Sequence, residues 1–359
     1  MKAAVMYEVG MPLVIEEVSL DPPGRGEVKV RIAATAICHS DVHYIRGDWA
    51  VRLPVVLGHE SAGHVEAVGE GVTMVQPGDA VVISLLRSCG RCEFCLTGVP
   101  QHCNEPWALD SEFRIHNAQG EALTQGVRVG GFAEYAVVDQ SQLARIPETM
   151  SLETASLLAC GVITGYGAVV TTAQIEAGST VVVIGAGGVG LNSVQGAALA
   201  GAGRIIAVDL LDNKLTAALE FGATDTVNAR EEDPIETIAQ LTNGRKADYV
   251  FVTVGSAPAI EQSFRMIHPA GTVVLVGMPD ETMKVNVPVR QFVRHGYRLI
   301  GSFMGSTRLQ LDIPRMIEHY ERGNLMLDEL ITARYPLEEI NEAIESMERG
   351  EALRNVIVF

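Results

Sequence analysis

Thr180-Val181-Val182-Val183-Ile184-Gly185-Ala186-Gly187-Gly188-Val189-Gly190 is the stretch that decides the fold. Its first five residues are all β-branched and read as a strand buried on both faces. Glycines at 185, 187 and 190 then fit the G-x-G-x-x-G pattern. The first permits a tight turn, the second lets backbone approach a pyrophosphate, and the third lets a helix pack closely on the strand. Gly188 to Leu199 reads as that helix, a small-residue one, and Gly188 and Val189 begin it. Its free N–H groups suit phosphate oxygens. The next strand, Ile205 to Val208, runs into Asp209, nineteen residues beyond Gly190. A carboxylate there accepts both ribose hydroxyls of NAD and repels the 2′-phosphate of NADP. FAD uses a related fold, but the mid-chain position of the motif favours NAD.

Downstream, strands and helices alternate. A helix is expected over Asp212 to Phe221, strands over Tyr249 to Val252 and Thr272 to Val276, and a helix around Ala259 to Ile267 between them. Gly296 to Ser302 supplies a last strand. Such alternation implies parallel βαβ units in a doubly wound sheet, a Rossmann-type α/β domain. Upstream, Ser151 to Ala173 is Ala-rich and helical in pattern. Before about residue 150 the texture is different. Short β runs (Ala3 to Met6, Glu27 to Ala34, Gly63 to Val68, Ala80 to Ser84, Ala133 to Val138) are punctuated by Pro22-Pro23-Gly24, Gly69-Glu70-Gly71 and Pro77-Gly78-Asp79. This is the pattern of a barrel-like β domain. In the tail, Pro336 to Met347 reads as an amphipathic helix and Asn355 to Phe359 as a strand returning to the first domain. One α/β domain is thus inserted into a discontinuous β domain.

The 359 residues suffice for two domains. Apolar residues make up 47% and charged residues 20%, a globular balance. The net charge of -17 excludes the basic footprint of a nucleic-acid binder. The start of the chain lacks the apolar run of a signal peptide, and the runs at 154–170 and 181–203 are interrupted by Gly, Thr and Gln, so a cytoplasmic location without membrane contact is expected. Of six cysteines, Cys89, Cys92, Cys95 and Cys103 lie within fifteen residues. In a reducing compartment this spacing points to metal. Four thiolates complete a tetrahedral Zn²⁺ with no open position, so the site is structural. An iron–sulfur cluster also uses four thiolates, but no partner motif for electron transfer accompanies it.

Cys38 and Cys160 remain. Near the first lie His39, Ser40, Asp41 and His43; further on come Gly58-His59-Glu60. Cys38, His59 and Cys160 together make a Cys2His set, which leaves a catalytic zinc one open position. Nothing in the sequence alone pairs these three. Cys160 also fits as a small buried hydrophobe, and His59 as an ordinary turn residue.

With these blocks in view, the chain resembles the zinc-containing medium-chain alcohol dehydrogenases along essentially its whole length. The blocks are Cys38 to His43, Gly58-His59-Glu60, the four-cysteine lobe, Cys160-Gly161, the glycine turn with Asp209, Val276-Gly277 and Arg354. The resemblance implies a GroES-like catalytic domain (1–161 and 304–359, with the zinc lobe at 89–103), a Rossmann NAD domain (162–303), and an active cleft between them. It makes Cys38, His59 and Cys160 the catalytic zinc ligands. Ser40 takes the alcohol proton, His43 relays it onward, Asp41 orients His59, and Glu60 assists ligand exchange. His39, where many relatives carry Arg, and Arg354 contact the pyrophosphate. Lys214 lies on the adenosine ribose beside Asp209; Thr164, Val254, Val276 and Phe303 belong to the coenzyme site. The implied chemistry is reversible NAD-linked oxidation of an alcohol to its aldehyde.

Trp49, Leu85, Leu109 and Phe132 fall in stretches similar to pocket-lining regions, so an apolar or aromatic primary alcohol is expected. Rival substrates are a formaldehyde–thiol adduct, against which the lack of a basic cluster weighs, and a secondary alcohol or polyol. A coenzyme-sensing scaffold without activity is the non-enzymatic alternative, and intact ligands and relay argue against it. A homodimer or homotetramer is expected, with apolar Thr272 to Met278 pairing across a two-fold axis.

Overall fold

The computed structural model describes all residues from Met1 to Phe359. They form two compact units, Met1–Gly161 with Arg308–Phe359, and Val162–Thr307. No single helix is long and apolar enough to cross a membrane.

The first unit is built on a curled antiparallel sheet centred on the strand Glu27–Ala36. Alternation makes it: Val28, Val30 and Ile32 point into a core with Val65, Val81, Ile83, Ala136 and Val138, while Arg31 faces out. Glu60–Val68 pairs along one side. The other side is shared, Tyr135–Asp139 pairing with 27–31 and Arg354–Val358 with 34–36. Ile331–Pro336 lies outside Arg354–Val358, in parallel. A smaller sheet carrying Lys2–Met6 closes over a second core of Met6, Leu57, Ile115, Phe132, Ile344 and Ile357. This is the GroES-like half-barrel.

The second unit is a six-stranded parallel sheet ordered Asp225–Asn228, Arg204–Asp209, Thr180–Ile184, Ala247–Val252, Ile267–Leu275, Arg298–Gly301. Numbered within the unit the order is 3-2-1-4-5-6, the Rossmann order, with its switch point beside Thr180–Ile184.

Several local expectations are corrected. Ser151 to Ala173 is not one helix: it breaks at Cys160, whose φ is −144° and ψ −66°. There the Ser84 hydroxyl donates to the Ala159 carbonyl at 2.8 Å and the Gly161 N–H donates to Glu60 at 3.4 Å, so side chains take over backbone partners. The tail helix, by contrast, lies where expected: Pro336 ends a strand, and a 3-10 turn at Leu337–Glu339 runs straight into the helix Ile340–Glu348. Thr272 to Leu275 is paired on both sides and has no free edge to offer a partner; the outer strand is Arg298–Gly301.

Candidate active site

Three chain segments converge in the first unit. Cys38 stands at the N-terminus of the helix His39–Arg46, His59 just before the strand Glu60–Val68, and Cys160 at the helix break. With Glu60, their ligand atoms all lie within 4.8 Å of one another, and all four residues are buried. Asp41 organises them. Its Oδ2 accepts the Cys38 N–H at 3.1 Å; its Oδ1 accepts the Gly58 N–H and the His59 Nδ1–H, both at 3.1 Å. The imidazole therefore presents Nε2 to the cluster, and that buried atom has no protein partner. A buried, unpartnered Nε2 among two sulfurs and a carboxylate is the environment a zinc ion completes.

The electrostatics agree. A hydrogen bond from Cys160 holds the Cys38 thiol well below its ordinary value against the cost of burial. The same bond, with burial, drives Cys160 well above. A divalent cation held here would favour the thiolate form of both sulfurs. Burial pushes the Glu60 carboxyl up to about 8 against the pull of Arg354. Arg354, almost wholly buried, sets its guanidinium directly on Glu60 Oε2. Its partner in the structure is thus the carboxylate beside the ligand set.

The helix carrying Ser40 presents His43 one turn further on. The His43 ring stacks on Trp49, centroids 4.7 Å apart at 28°. Its Nδ1 lies 2.8 Å from the Asp48 carboxylate. Asp48 is a neighbour that the sequence reading missed; the one available signal was its place directly after a helix-ending glycine. His39 is exposed at the first helical position.

The four-cysteine lobe forms a second cluster, again with ligand atoms within 4.8 Å. Cys89 and Cys95 sulfurs are 3.9 Å apart, those of Cys92 and Cys103 3.8 Å. A tetrahedron with metal–sulfur bonds of about 2.3 Å has edges of roughly 3.8 Å, so one zinc fits and a multi-iron cluster does not. Backbone N–H groups of Arg91 and Cys92 point at Cys89 and bring its thiol down to about 7.

The second unit holds the dinucleotide turn. Gly185 has φ +94°, and a Cβ on Gly190 would stand 1.7 Å from the Gly185 carbonyl oxygen. Only glycines allow this approach of helix to strand. A Cβ at Gly187 would meet nothing within 4 Å, so the turn opens onto free space there. Asp209 ends its strand with its carboxylate fixed by the N–H groups of Ala186 (2.7 Å), Leu210 (2.7 Å) and Leu211 (3.1 Å). Burial pushes the Lys214 ammonium down while Asp209 supports its charge.

Comparison with known proteins places this geometry. Residues 24–148 match the alcohol dehydrogenase GroES-like domain, and residues 188–322 the zinc-binding dehydrogenase family. The NDMA-dependent alcohol dehydrogenase of Amycolatopsis methanolica is 39% identical, over 99% of this chain and 98% of its own. The chain belongs to the zinc-containing medium-chain alcohol dehydrogenases. Among solved structures, an alcohol dehydrogenase zinc-binding domain protein from Burkholderia ambifaria superposes with a TM-score of 0.95 at 34% identity, covering 100% of this chain and 98% of that one. Benzyl alcohol dehydrogenase from Acinetobacter calcoaceticus does so at 0.93 and 30%, covering 100% and 99%. By class, then, this dehydrogenase is zinc-dependent and NAD-linked, with one structural and one catalytic zinc site.

The remaining residues of the dehydrogenase fall as follows. Val254 sits over Gly185, and Val276 is buried with its N–H on the Val252 carbonyl at 2.9 Å. The Thr164 hydroxyl lies 3.7 Å from the Met304 sulfur, and Phe303 is 39% exposed. Leu85 is half-buried against the sheet core. Leu109 lies buried in a short turn whose Asp110 receives Arg87 at 2.6 Å. Phe132 is wholly buried in the second core under Gly58. It braces the loop that carries His59 and is not exposed to any pocket.

Proposed function

We propose that this dehydrogenase interconverts an apolar or aromatic primary alcohol and its aldehyde. Trp49 carries the reading. Its buried ring lies flat against His43, so an aromatic wall stands beside the residue read as the relay base. The likeness to a benzyl alcohol dehydrogenase supports it. Leu85 and Leu109 are further wall candidates; Phe132 is not.

In this mechanism Cys38, His59 and Cys160 hold the catalytic zinc, and Glu60 stands by as a carboxylate that can assist ligand exchange. Cys89, Cys92, Cys95 and Cys103 hold the structural one. The Gly185–Gly190 turn takes the coenzyme pyrophosphate, with His39 a further contact; Asp209 and Lys214 take its adenosine ribose. Thr164, Val254, Val276 and Phe303 flank the nicotinamide. When bound, zinc supplies Lewis acidity at the alcohol oxygen and NAD supplies the hydride acceptor. Ser40 accepts the alcohol proton, and His43, half-buried, delivers it to solvent. Asp41 keeps the His59 ring turned toward the cluster. The catalytic residues belong to the GroES-like unit and the dinucleotide turn to the Rossmann unit.

We further propose a homo-oligomer joined through Arg298–Gly301, an unpaired sheet edge preceded by a helix that exposes Val289 and Val293. A cytoplasmic location suits the six free thiols.

The test follows NADH formation from NAD⁺ over ethanol, hexanol, benzyl and cinnamyl alcohols, 2-butanol, butanediol and threonine. Parallel arms use NADP⁺, formaldehyde with a thiol, and NDMA as acceptor. Preference for benzyl, cinnamyl or hexyl alcohol supports the proposal. Preference for a secondary or polar alcohol, or turnover only of the thiol adduct, overturns it.

A further inference from the structure

The helix that bears His43 ends in a way that serves the imidazole. Gly47 adopts φ +81°, ψ 15°, and its N–H returns to the Tyr44 carbonyl at 3.1 Å. The reversal brings the Asp48 N–H to the His43 carbonyl at 2.9 Å and the Asp48 carboxylate to His43 Nδ1 at 2.8 Å. Trp49 then folds under the imidazole and meets Tyr44 edge-on at 5.3 Å. A second strand of chain locks the reversal. The Gly10 N–H donates to the Ile45 carbonyl at 2.7 Å, and any Cβ on Gly47 would stand 2.5 Å from Val9 Cγ1. Arg46, the nearest cation on the helix, is engaged by Glu348 at 2.7 Å and leaves Asp48 to the histidine. The imidazole is therefore held on one face by an aromatic ring and at one nitrogen by a carboxylate.

We propose that Asp48 is a positioning residue of the proton relay. Its carboxylate accepts the Nδ1–H, which fixes neutral His43 in the Nδ1–H tautomer and turns the Nε2 lone pair into the proton acceptor. The proton first taken up by Ser40 is received further along the relay at Nε2 and leaves from Nε2 to solvent; the Nδ1 proton stays where it is. The assignment rests on the reading of His43 as the relay base.

The test uses the zinc-replete, full-length enzyme with Asp48→Asn, Asp48→Glu and His43→Gln, each checked for zinc content and melting temperature. An Asn amide can turn either its oxygen or its NH2 to Nδ1 and so no longer fixes one tautomer. Asp48→Asn is expected to lower kcat for alcohol oxidation by about ten- to a hundredfold, within the range for a misaligned acid–base group, with KM nearly unchanged. Added imidazole buffer should restore part of the loss, and Asp48→Glu should retain most of kcat. In 15N-histidine-labelled wild type, the His43 signals, assigned by their absence in His43→Gln, should show Nδ1 protonated, and Asp48→Asn should raise the share of the Nε2–H form. Wild-type kcat in Asp48→Asn beside an impaired His43→Gln overturns the role of Asp48 and leaves the relay standing. An Nε2–H tautomer in the wild type overturns it too, without recourse to any variant. An unimpaired His43→Gln removes the relay reading itself.

Discussion

Replacing Asp41 with Asn should loosen the catalytic zinc and leave the structural zinc in place. The carboxylate is fully buried and accepts three N–H groups, two at Oδ1 and one at Oδ2. An Asn side chain has one oxygen for them. Its better orientation keeps that oxygen toward Gly58 and His59 and turns its NH2 against the Cys38 N–H, donor facing donor. A buried donor left without an acceptor costs about 1–3 kcal/mol. Loss of the carboxylate behind a zinc-bound histidine lowers metal affinity by about 10–100-fold, or roughly 1.4–2.7 kcal/mol, so the two routes agree. The four-cysteine lobe shares no hydrogen bond with Asp41 and is an internal control. The assay is dialysis against a graded series of zinc-chelator buffers, with zinc per chain counted by elemental mass spectrometry and folding followed by circular dichroism. Two release steps are expected, with the catalytic step displaced by one to two decades of free zinc in the variant. Release curves that superpose on wild type would refute the view that Asp41 organises the cluster.

Cys103→Ser should release the structural zinc and open the 89–103 lobe to limited proteolysis while the Rossmann unit stays intact; equal protease resistance would contradict a metal-held lobe. Asp209→Asn keeps an acceptor for the Ala186 N–H but removes the charge that repels a 2′-phosphate. The NAD-over-NADP ratio of kcat/KM should fall by about tenfold, equivalent to about 1.4 kcal/mol, and an unchanged ratio would place discrimination elsewhere. Asp248 sits well below the usual carboxylate range: burial opposes its charge, but hydrogen bonds from Arg245, the Thr180 N–H and His268 outweigh it. Because its folded value is depressed, its contribution is full above the unfolded value near ~4 and is lost as pH falls toward the folded one. The melting-temperature deficit of Asp248→Asn should therefore be largest near neutrality and shrink below about pH 4; a constant deficit would refute the linkage.

Much of this was legible in the sequence, for reasons particular to each element. Thr180–Ile184 is buried on both faces, so an unbroken β-branched run announces it, and the glycine turn after it admits few other residues. Four cysteines in one short excursion announce a metal without reference to anything else in the chain. Asp225–Asn228 passed unread because it is short and polar, and its place in the sheet comes from pairing with 206–209. The helix Pro234–Leu241 also passed, although Asp233 caps it by accepting from the Ile235 N–H at 2.8 Å. The break at Cys160 could not be read locally, since its cause is Ser84 and Glu60, distant in sequence. The full burial of Phe132 under Gly58 is a property of the tertiary fold that its place in the sequence does not show. Asp48 is not marked by its neighbours in sequence: it stays exposed, and only the left-handed turn at Gly47 brings its carboxylate back onto His43.

The strand Arg354–Val358 bears on how the protein is made. It covers the 34–36 end of Glu27–Ala36 and delivers Arg354 to Glu60. In synthesis that strand emerges only after the whole Rossmann unit, some 190 residues behind Gly161. At roughly 5–20 residues per second the wait is on the order of 10–40 s. Throughout it, the nascent half-barrel exposes an unpaired β edge immediately before Cys38, with that thiol and Cys160 still lacking the lid of their final enclosure. The ligand set of the catalytic site is complete once Cys160 has left the tunnel, whereas that of the lobe at 89–103 is complete as soon as Cys103 has. The two zinc sites of one chain thus belong to different stages of its birth.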